Sequence, residues 1–520
     1  MLVETSGITP ATAWPPGQGL QVYNGLDCCL TLEVWEELQA QATRASSIYS
    51  FERALQGPYL EIMQRGFRVN LAARAEATER LRGQKAGLET MLDDLARAVW
   101  DRGLNPRSPQ QLQDFFYSAM KLPEVWLSQK GVRKLSTNRE ALEKLDQHMH
   151  ARPFINIILA IRDLGKQLDV FESEIDHDGR FRTSYNIAGT ETGRASSSTN
   201  AFGTGGNAQN ITPGLRYIFE ADPGHKLCVI DLEQVEARDV GFICGCLFGD
   251  WSFLDNCESG DLHTNNAKLI WPEKPWPAEA SAAKAMAEQP FYRTFSFRDM
   301  AKRGSHLSNY SGTAWTAARS LKVPLPIMEE FQARYIRGRQ AGRHGPAIAP
   351  AFPVIARWWE WTAQQLQTTR RLSNLFGRER QFFGRPGDDT TLREAIAFLP
   401  QSTTADRTNL GLWRAWKREP QAQLLAQTHD SITFQALEGP GFDQLVGRVL
   451  EHIKIELVAP NGRRYVVPGE AKVGWNWGYR IEDKRTGQVT NPEGLMKWKP
   501  GADKRRRVWG LDRLACGGGR

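Results

Sequence analysis

Segments that read as buried β-strands are few, short and far apart in this chain. The compact apolar run Leu227, Cys228, Val229, Ile230 ends in a carboxylate, Asp231. The next clear signal, LLAQTHDSITFQAL from Leu424 to Leu437, has two apolar runs flanking a polar centre and predicts a hairpin with Asp430 at its turn. Helical text fills the interval from about His263 to Pro400, including FPVIARWWEWTAQQLQTTRR. Strands so scattered predict an α+β core with helical insertions, and they argue against alternating βαβ units.

The 520 residues predict about three or four domains, at roughly 150 residues each. Residues 1 to about 22 are Pro/Gly-rich and expected to be irregular, and DCCLTLEVWEELQAQATRA then reads as a helix. From Phe51 to about Leu145 the text is mostly helical, interrupted at RGLNPRSPQQ and around LPEVWLSQKGVRKLST. Ser108 followed by Pro109 predicts a helix start, with Ser as N-cap and Pro in the first turn. GRFRTSYNIAGTETGRASSSTNAFGTGGNAQNI predicts short strands and loops, and the tail KWKPGADKRRRVWG is basic and without periodicity.

An apolar fraction of 41% and a charged fraction of 24% exclude wholesale disorder and collagen-like or membrane classes. The excess of 66 Lys and Arg over 59 Asp and Glu, a net +7, suits a polyanionic partner. No apolar run reaches the ~18 residues of a membrane span, and the start MLVETSGITPATAW lacks the layout of a secretory signal, so a cytosolic protein is expected. Seven cysteines without a CxxC pair are expected to be reduced and mostly buried thiols, not a metal site.

Three constellations carry chemistry. Asp231 and Asp430, delivered to adjacent strand ends, can hold two divalent cations, and hard oxygen ligands imply magnesium. In RDMAKRGSHLSNYSG, Arg298, Lys302, His306 and Tyr310 recur at helical spacing and share one face: two cations for phosphates, then two rings for a base. TETGRASSSTNAFGTGGNAQN combines Arg194 with Asn207, Gln209 and Asn210, groups able to contact phosphates and groove edges. Taken singly, each has a structural reading too: a strand-ending Asp, a solvated basic stripe, a flexible Gly/Ser loop.

Together, and in this order, the segments closely resemble the polymerase region of family A DNA polymerases. DLEQVEAR (Asp231–Arg238) resembles that family's motif A, RDMAKRGSHLSNYSG its motif B and THDS (Thr428–Ser431) its motif C. TGRASS with AQNI, DLHT (Asp261–Thr264), LFGRER (Leu375–Arg380) and REAIAFLPQSTTAD (Arg393–Asp406) support the match, which runs from about residue 23 to 480. The resemblance implies a right-hand fold with an antiparallel-sheet palm and helical fingers and thumb. The expected division is an exonuclease remnant over 1–50, thumb and start of palm over 51–165, palm over 166–262 and 401–480, fingers over 263–400, and a basic tail over 481–520.

The resemblance further implies a DNA-directed DNA polymerase of bacteriophage type that binds primer-template DNA and dNTPs. Asp231 and Asp430 would hold two Mg2+ ions, with the Leu232 carbonyl as a backbone ligand. Arg298 and Lys302 would bind the triphosphate, and Lys302 would protonate the leaving pyrophosphate. Gln234, His263, His306 and Tyr310 would surround the nucleotide, and Glu236 would be the steric gate against a ribose 2′-hydroxyl. Arg194, Gln209, Asn210, Arg393, Gln401 and His429 would contact DNA.

The chain departs from the family pattern at His306, usually Phe or Tyr, at Ser431, usually Glu, at Leu232 and Glu233, usually Tyr and Ser, and in the spacing of Ser311 and Gly312. Tyr23 and Asp27 resemble the last of three motifs of the family's 3′–5′ exonuclease; the expectation is a separately encoded exonuclease partner or lost proofreading. The alternatives are a single-subunit RNA polymerase, against which Glu236 and TGRASS argue, and a catalytically silent DNA-binding subunit.

Overall fold

The computed structural model describes residues 18–42, 46–129, 132–342, 347–483 and 486–501. The chain divides into two compact units, Met1–Gln56 and Gly57–Arg520. In the first, helix α1 (Gln18–Ala42) is followed by the start of α2 (Ser46–Arg65), with the rings of Trp35 and Tyr49 5.6 Å apart. The helix begins at Gln18, inside the stretch expected to be irregular. Tyr23 and Asp27 both lie exposed on α1, and among the described residues no cluster of acids, His or Cys surrounds Asp27 in a way that could hold a metal.

The second unit opens with a helical layer. Helix α3 (Leu71–Trp100) starts where the Asn70 side chain accepts from the amide of Ala73, and ends at Asp101 in the left-handed region with φ 59°. It packs against α4 (Arg152–Phe171) around Leu92, Ala96, Phe115, Phe116, Ile155, Ile158 and Ile161. The Ser108 cap and Pro109 start form as predicted, with Ser108 accepting from the amide of Gln111. Trp126–Gln129 and Val132–Leu135 pair as a hairpin where the sequence showed only a break in helical text.

The central sheet has five antiparallel strands: β1 (His225–Leu232), β2 (Gln423–Thr428), β3 (Ser431–Leu437), β4 (Gly469–Gly474) and β5 (Met496–Lys497), in the order β2-β3-β1-β4-β5. Strand β1 is therefore covered on both edges, which explains its unbroken apolar run. Leu227 and Val229 pack with Phe67, Phe219 and Trp477. On the opposite face the helix Phe442–Ile453 lies close enough that a Cβ at Gly469 would meet Leu450 at 2.8 Å.

Helices α5 (Val235–Phe248), α6 (Leu262–Ile270), α7 (Phe297–Asn309), α8 (Pro353–Thr368) and α9 (Asp389–Arg418) share a third apolar core built on Phe253, Met300, Phe331, Tyr335, Trp358 and Phe398. Helix α9 continues through Pro400 and so through the expected 400/401 division; proline costs a helix one hydrogen bond, and burial along α9 compensates. Within the span expected as tail, Ile481–Glu482 and Val489–Thr490 instead form short strands, and Met496–Lys497 completes the central sheet. A two-residue strand has no periodicity to read. Lys504 to Arg507 lie outside the described residues.

Of the cysteines, Cys228, Cys244 and Cys257 are buried, but Cys28 and Cys29 are exposed on α1, contrary to expectation; Cys516 lies outside the described residues. Among the described residues no helix is long and apolar enough to cross a membrane.

Candidate active site

Strand register brings the two predicted acids together. Asp231 of β1 stands opposite Ser431 of β3 on one side and Glu470 of β4 on the other, while Asp430 occupies the turn just ahead of β3. The amide of Leu232 donates to the Asp430 carbonyl at 3.4 Å. His429, in the same turn, takes φ 55°, which aims the tight loop at the end of β1. Burial, and then the negative charge of Asp430, push the Asp231 carboxyl up to about 7. Asp430 is raised as well, first by burial and then by Glu236, against an opposing pull from Arg194.

Two half-buried carboxylates that resist ionising side by side make a donor set suited to a hard divalent cation. Asp231 and Asp430, with the Leu232 carbonyl, are the groups that would hold it. Near them Gln234 Oε1, Arg194 Nε and Thr428 Oγ1 are buried polar atoms without a hydrogen-bond partner, and His263 Nδ1, beside Arg298 and Lys302, is another. Such orphans are costly unless a ligand or water satisfies them.

Glu236, in the first turn of α5, links three segments. Its Oε1 accepts from Arg194 Nη2, and its Oε2 accepts from the Tyr310 hydroxyl at 2.5 Å. Burial and the Glu236 charge then hold the Tyr310 phenol well above its ordinary range. Gln234, which joins β1 to α5, has φ 54°. Arg194 is set in place from below: a Cβ at Gly193, where φ is +78°, would fall 2.6 Å from Arg378 Nε, and Arg378 is itself bonded to the buried Asp406 at 2.8 Å. Asn409 Nδ2 donates to the Gly193 carbonyl at 3.2 Å.

Helix α7 carries the predicted cationic face. A capping box between Ser296 and Asp299 starts it, and Met300, Ala301, Gly304 and Ser308 form its buried side. Gly304 is required by close packing, since a Cβ would lie 2.6 Å from Phe331. Arg298, Lys302 and His306 occupy the other side, but Tyr310 is the C-cap and not a helical residue. Its ring nevertheless meets that of His306, edge to face, at 5.3 Å.

Arg298 is already engaged, donating to both oxygens of Asp261 at 2.9 and 3.0 Å. Burial would raise the Asp261 carboxyl, but the Arg298 hydrogen bonds outweigh it and hold it at about 2. Asp261 also caps α6, where His263 is kept down at about 4 by burial and by the charges of Arg298 and Lys302. Lys302 is exposed and forms no ion pair among the described residues.

The expected DNA-contact residues fall in two places. Gln209 Nε2 donates to the carbonyls of Ala195 and Gln427 at 3.2 and 3.3 Å, which ties the TGRASS loop to β2, and Asn210 beside it is exposed. Burial, and then Arg194 and Arg216, lower the His429 imidazole in its turn. Arg393 and Gln401 lie on α9; Arg393 is exposed and donates to the Asp389 carbonyl at 3.2 Å. Among the described residues no hydrogen bond joins either to the Asp231 centre.

Sequence reading passed over two groups. Glu470 and Lys472 of β4 were hidden in GEAKVG, where the alternation of Glu470 and Lys472 with Ala471 and Val473 is too short between its glycines to stand out. The wholly buried pair of Asp239 with Arg407, at 2.8 Å, was missed because charged letters in α5 and α9 look solvent-facing until the helices meet. Tyr465 and Thr404 also donate to Asp239, at 2.9 and 3.0 Å.

Residues 75–478 match the family model for DNA polymerase family A. The thermostable DNA polymerase I of Thermus caldophilus is 28% identical over 354 residues, covering 64% of this chain and 37% of that protein. Its Thermus aquaticus counterpart is 26% identical over 467 residues, covering 86% and 49%. The chain thus spans half or less of the length of these relatives. The POL domain of Pol1 from M. smegmatis, solved in complex with DNA primer-template and dNTP, has a like fold, with a TM-score of 0.66 at 21% identity over 86% of this chain and 74% of that one. With most of its length matched and the acids of its first and last polymerase motifs meeting on one sheet, the chain belongs to family A of the DNA polymerases.

Proposed function

We propose that this chain adds deoxynucleotides to the 3′ end of a primer under the direction of a template. The observation that carries the reading is the meeting of Asp231 and Asp430 on hydrogen-bonded segments of one sheet, beside Glu236 and Arg194. Two magnesium ions bound there would supply charge stabilisation to the attacking and leaving oxygens of a phosphoryl transfer.

The chain's own groups have distinct roles. Lys302, the uncommitted cation of α7, binds the triphosphate oxygens and gives its proton to the departing pyrophosphate. Arg298 reaches a phosphate by exchanging Asp261 for it, one doubly bonded anion for another. His263 stays neutral and donates a ring N–H beside the phosphates, with Gln234 nearby. Tyr310 and Arg194 hold the Glu236 side chain rigid, so its bulk excludes a ribose 2′-hydroxyl, and His306 and Tyr310 offer ring faces to the base. Gln209, Asn210, Arg393, Gln401 and His429 contact primer-template, with 51–165 as thumb, 263–400 as fingers and the central sheet as palm.

The test is extension of a primed template with dNTPs or NTPs. Asp231→Ala and Asp430→Ala should abolish extension and leave duplex binding intact; measurable extension by either sinks the assignment. Preference for NTPs would replace it with an RNA polymerase-like activity.

A further inference from the structure

The sheet around Asp231 contains a third carboxylate. Asp231 has a register partner on each side, Ser431 of β3 and Glu470 of β4. Partners directly opposite in antiparallel strands project from the same face, with Cβ atoms about 5 Å apart. The two flanks differ in charge. Ser431 is neutral, and its hydroxyl donates to the Thr428 carbonyl at 2.9 Å.

Glu470 is an anion fixed in place. Its Oε2 accepts from Lys497 of β5 at 2.8 Å, and its Oε1 lies 3.6 Å from Lys472 Nζ. Lys472 is two residues along β4 and so shares its face, and Lys497 stands opposite Lys472 in register. The side chain is 25% exposed, which leaves it open to water on the side of the sheet that bears Asp231.

We propose that Glu470 is a positioning residue for the divalent cation that Asp231 would hold, acting through water on the β4 side where β3 offers only Ser431. Magnesium sheds its water reluctantly and takes one or two carboxylates directly, so a third carboxylate one strand away orders the hydration shell. Lys472 and Lys497 keep Glu470 from collapsing onto the cation and displacing that water. The inference rests on the two-cation reading above.

The test uses Mn2+ as probe, with the full chain bound to a template, a dideoxy-terminated primer and the next dNTP, and free Mn2+ counted by electron paramagnetic resonance. Glu470→Gln should weaken Mn2+ binding roughly tenfold and leave metal-free primer-template affinity unchanged. Adding Ser431→Glu, the mirror position across Asp231, should restore the affinity. Lys497→Gln, which breaks the same ion pair but keeps the carboxylate, should not weaken Mn2+. Unchanged Mn2+ affinity in Glu470→Gln, or an equal loss in Lys497→Gln, overturns the inference. Should Glu470→Gln fail to fold, Ser431→Glu alone decides: tighter Mn2+ binding supports the inference, and unchanged or weaker binding overturns it. No Mn2+ binding by the unaltered chain overturns the two-cation reading itself, and this inference with it.

Discussion

The acidic centre on the sheet and the cationic face of α7 are built in opposite ways. Asp231 is locked by main-chain ladders on both flanks, and neither it nor Asp430 forms an ion pair among the described residues. Both carboxyls are pushed upward, first by burial and then by neighbouring negative charge, Asp430 on Asp231 and Glu236 on Asp430. On the cationic face of α7 the opposite holds: Arg298 is already satisfied twice by Asp261, and Lys302 forms no ion pair among the described residues. The sheet therefore stores an unmet demand for positive charge, whereas the helix offers cations from a site that is comfortable when empty. Under the proposed function, the first arrangement would select cations by need and the second would admit phosphates by exchange.

The contrast can be broken experimentally. The largest effect belongs to the unmet site: Asp231→Asn or Asp430→Asn should lower the primer-extension rate by on the order of 10^3-fold or more, the several kcal/mol that a positioned metal supplies. A loss under tenfold in single-turnover kinetics would show that the paired acids are not the centre. Next comes the scaffold under it: Asp239→Asn strands Arg407 without its counter-charge and should cost about 3–5 kcal/mol, read as a shifted urea midpoint. Lys302→Ala should cost roughly 10^2-fold in rate, as expected for one positioned proton donor. If Arg298→Ala instead hurts more, the exchange picture has the two cations the wrong way round. Glu236→Ala should raise NTP incorporation relative to dNTP by roughly 10–100-fold in competition assays.

The smallest effect is a pH dependence. The folded His263 imidazole titrates at about 4, below its ordinary 6.5, because of burial, Arg298 and Lys302, with Asp261 opposing. Between these values the unfolded chain takes up the proton and the folded chain does not, so stability rises with pH through the window and falls as pH drops toward 4. The contribution is at most about 3 kcal/mol. His263→Gln should flatten that part of the urea-midpoint profile, and an unaltered slope would remove His263 from the cationic environment of α7.

Much of this was legible in the letters. The apolar run into Asp231 and the hairpin around Asp430 carry their own strand signals, and the Arg298–His306 spacing fixes one helical face whatever surrounds it. What stayed hidden depends on neighbours remote in sequence. Glu470 matters only because β4 pairs with β1, and GEAKVG contains no trace of that partner. Arg298 looks like a free phosphate ligand until Asp261, from another helix, is seen to hold it. The continuity of α9 through Pro400 is likewise a matter of packing overriding a local breaker.

By itself the sequence determined the order of the motifs, the α+β class, and which residue types bear charge on which local face, because period and propensity act over a few residues. The tertiary structure alone decided strand order, the register that sets Asp231 between Ser431 and Glu470, and which charges are paired. Those outcomes rest on Coulomb and hydrogen-bond energies that fall off within a few ångströms, between groups that only folding brings that close.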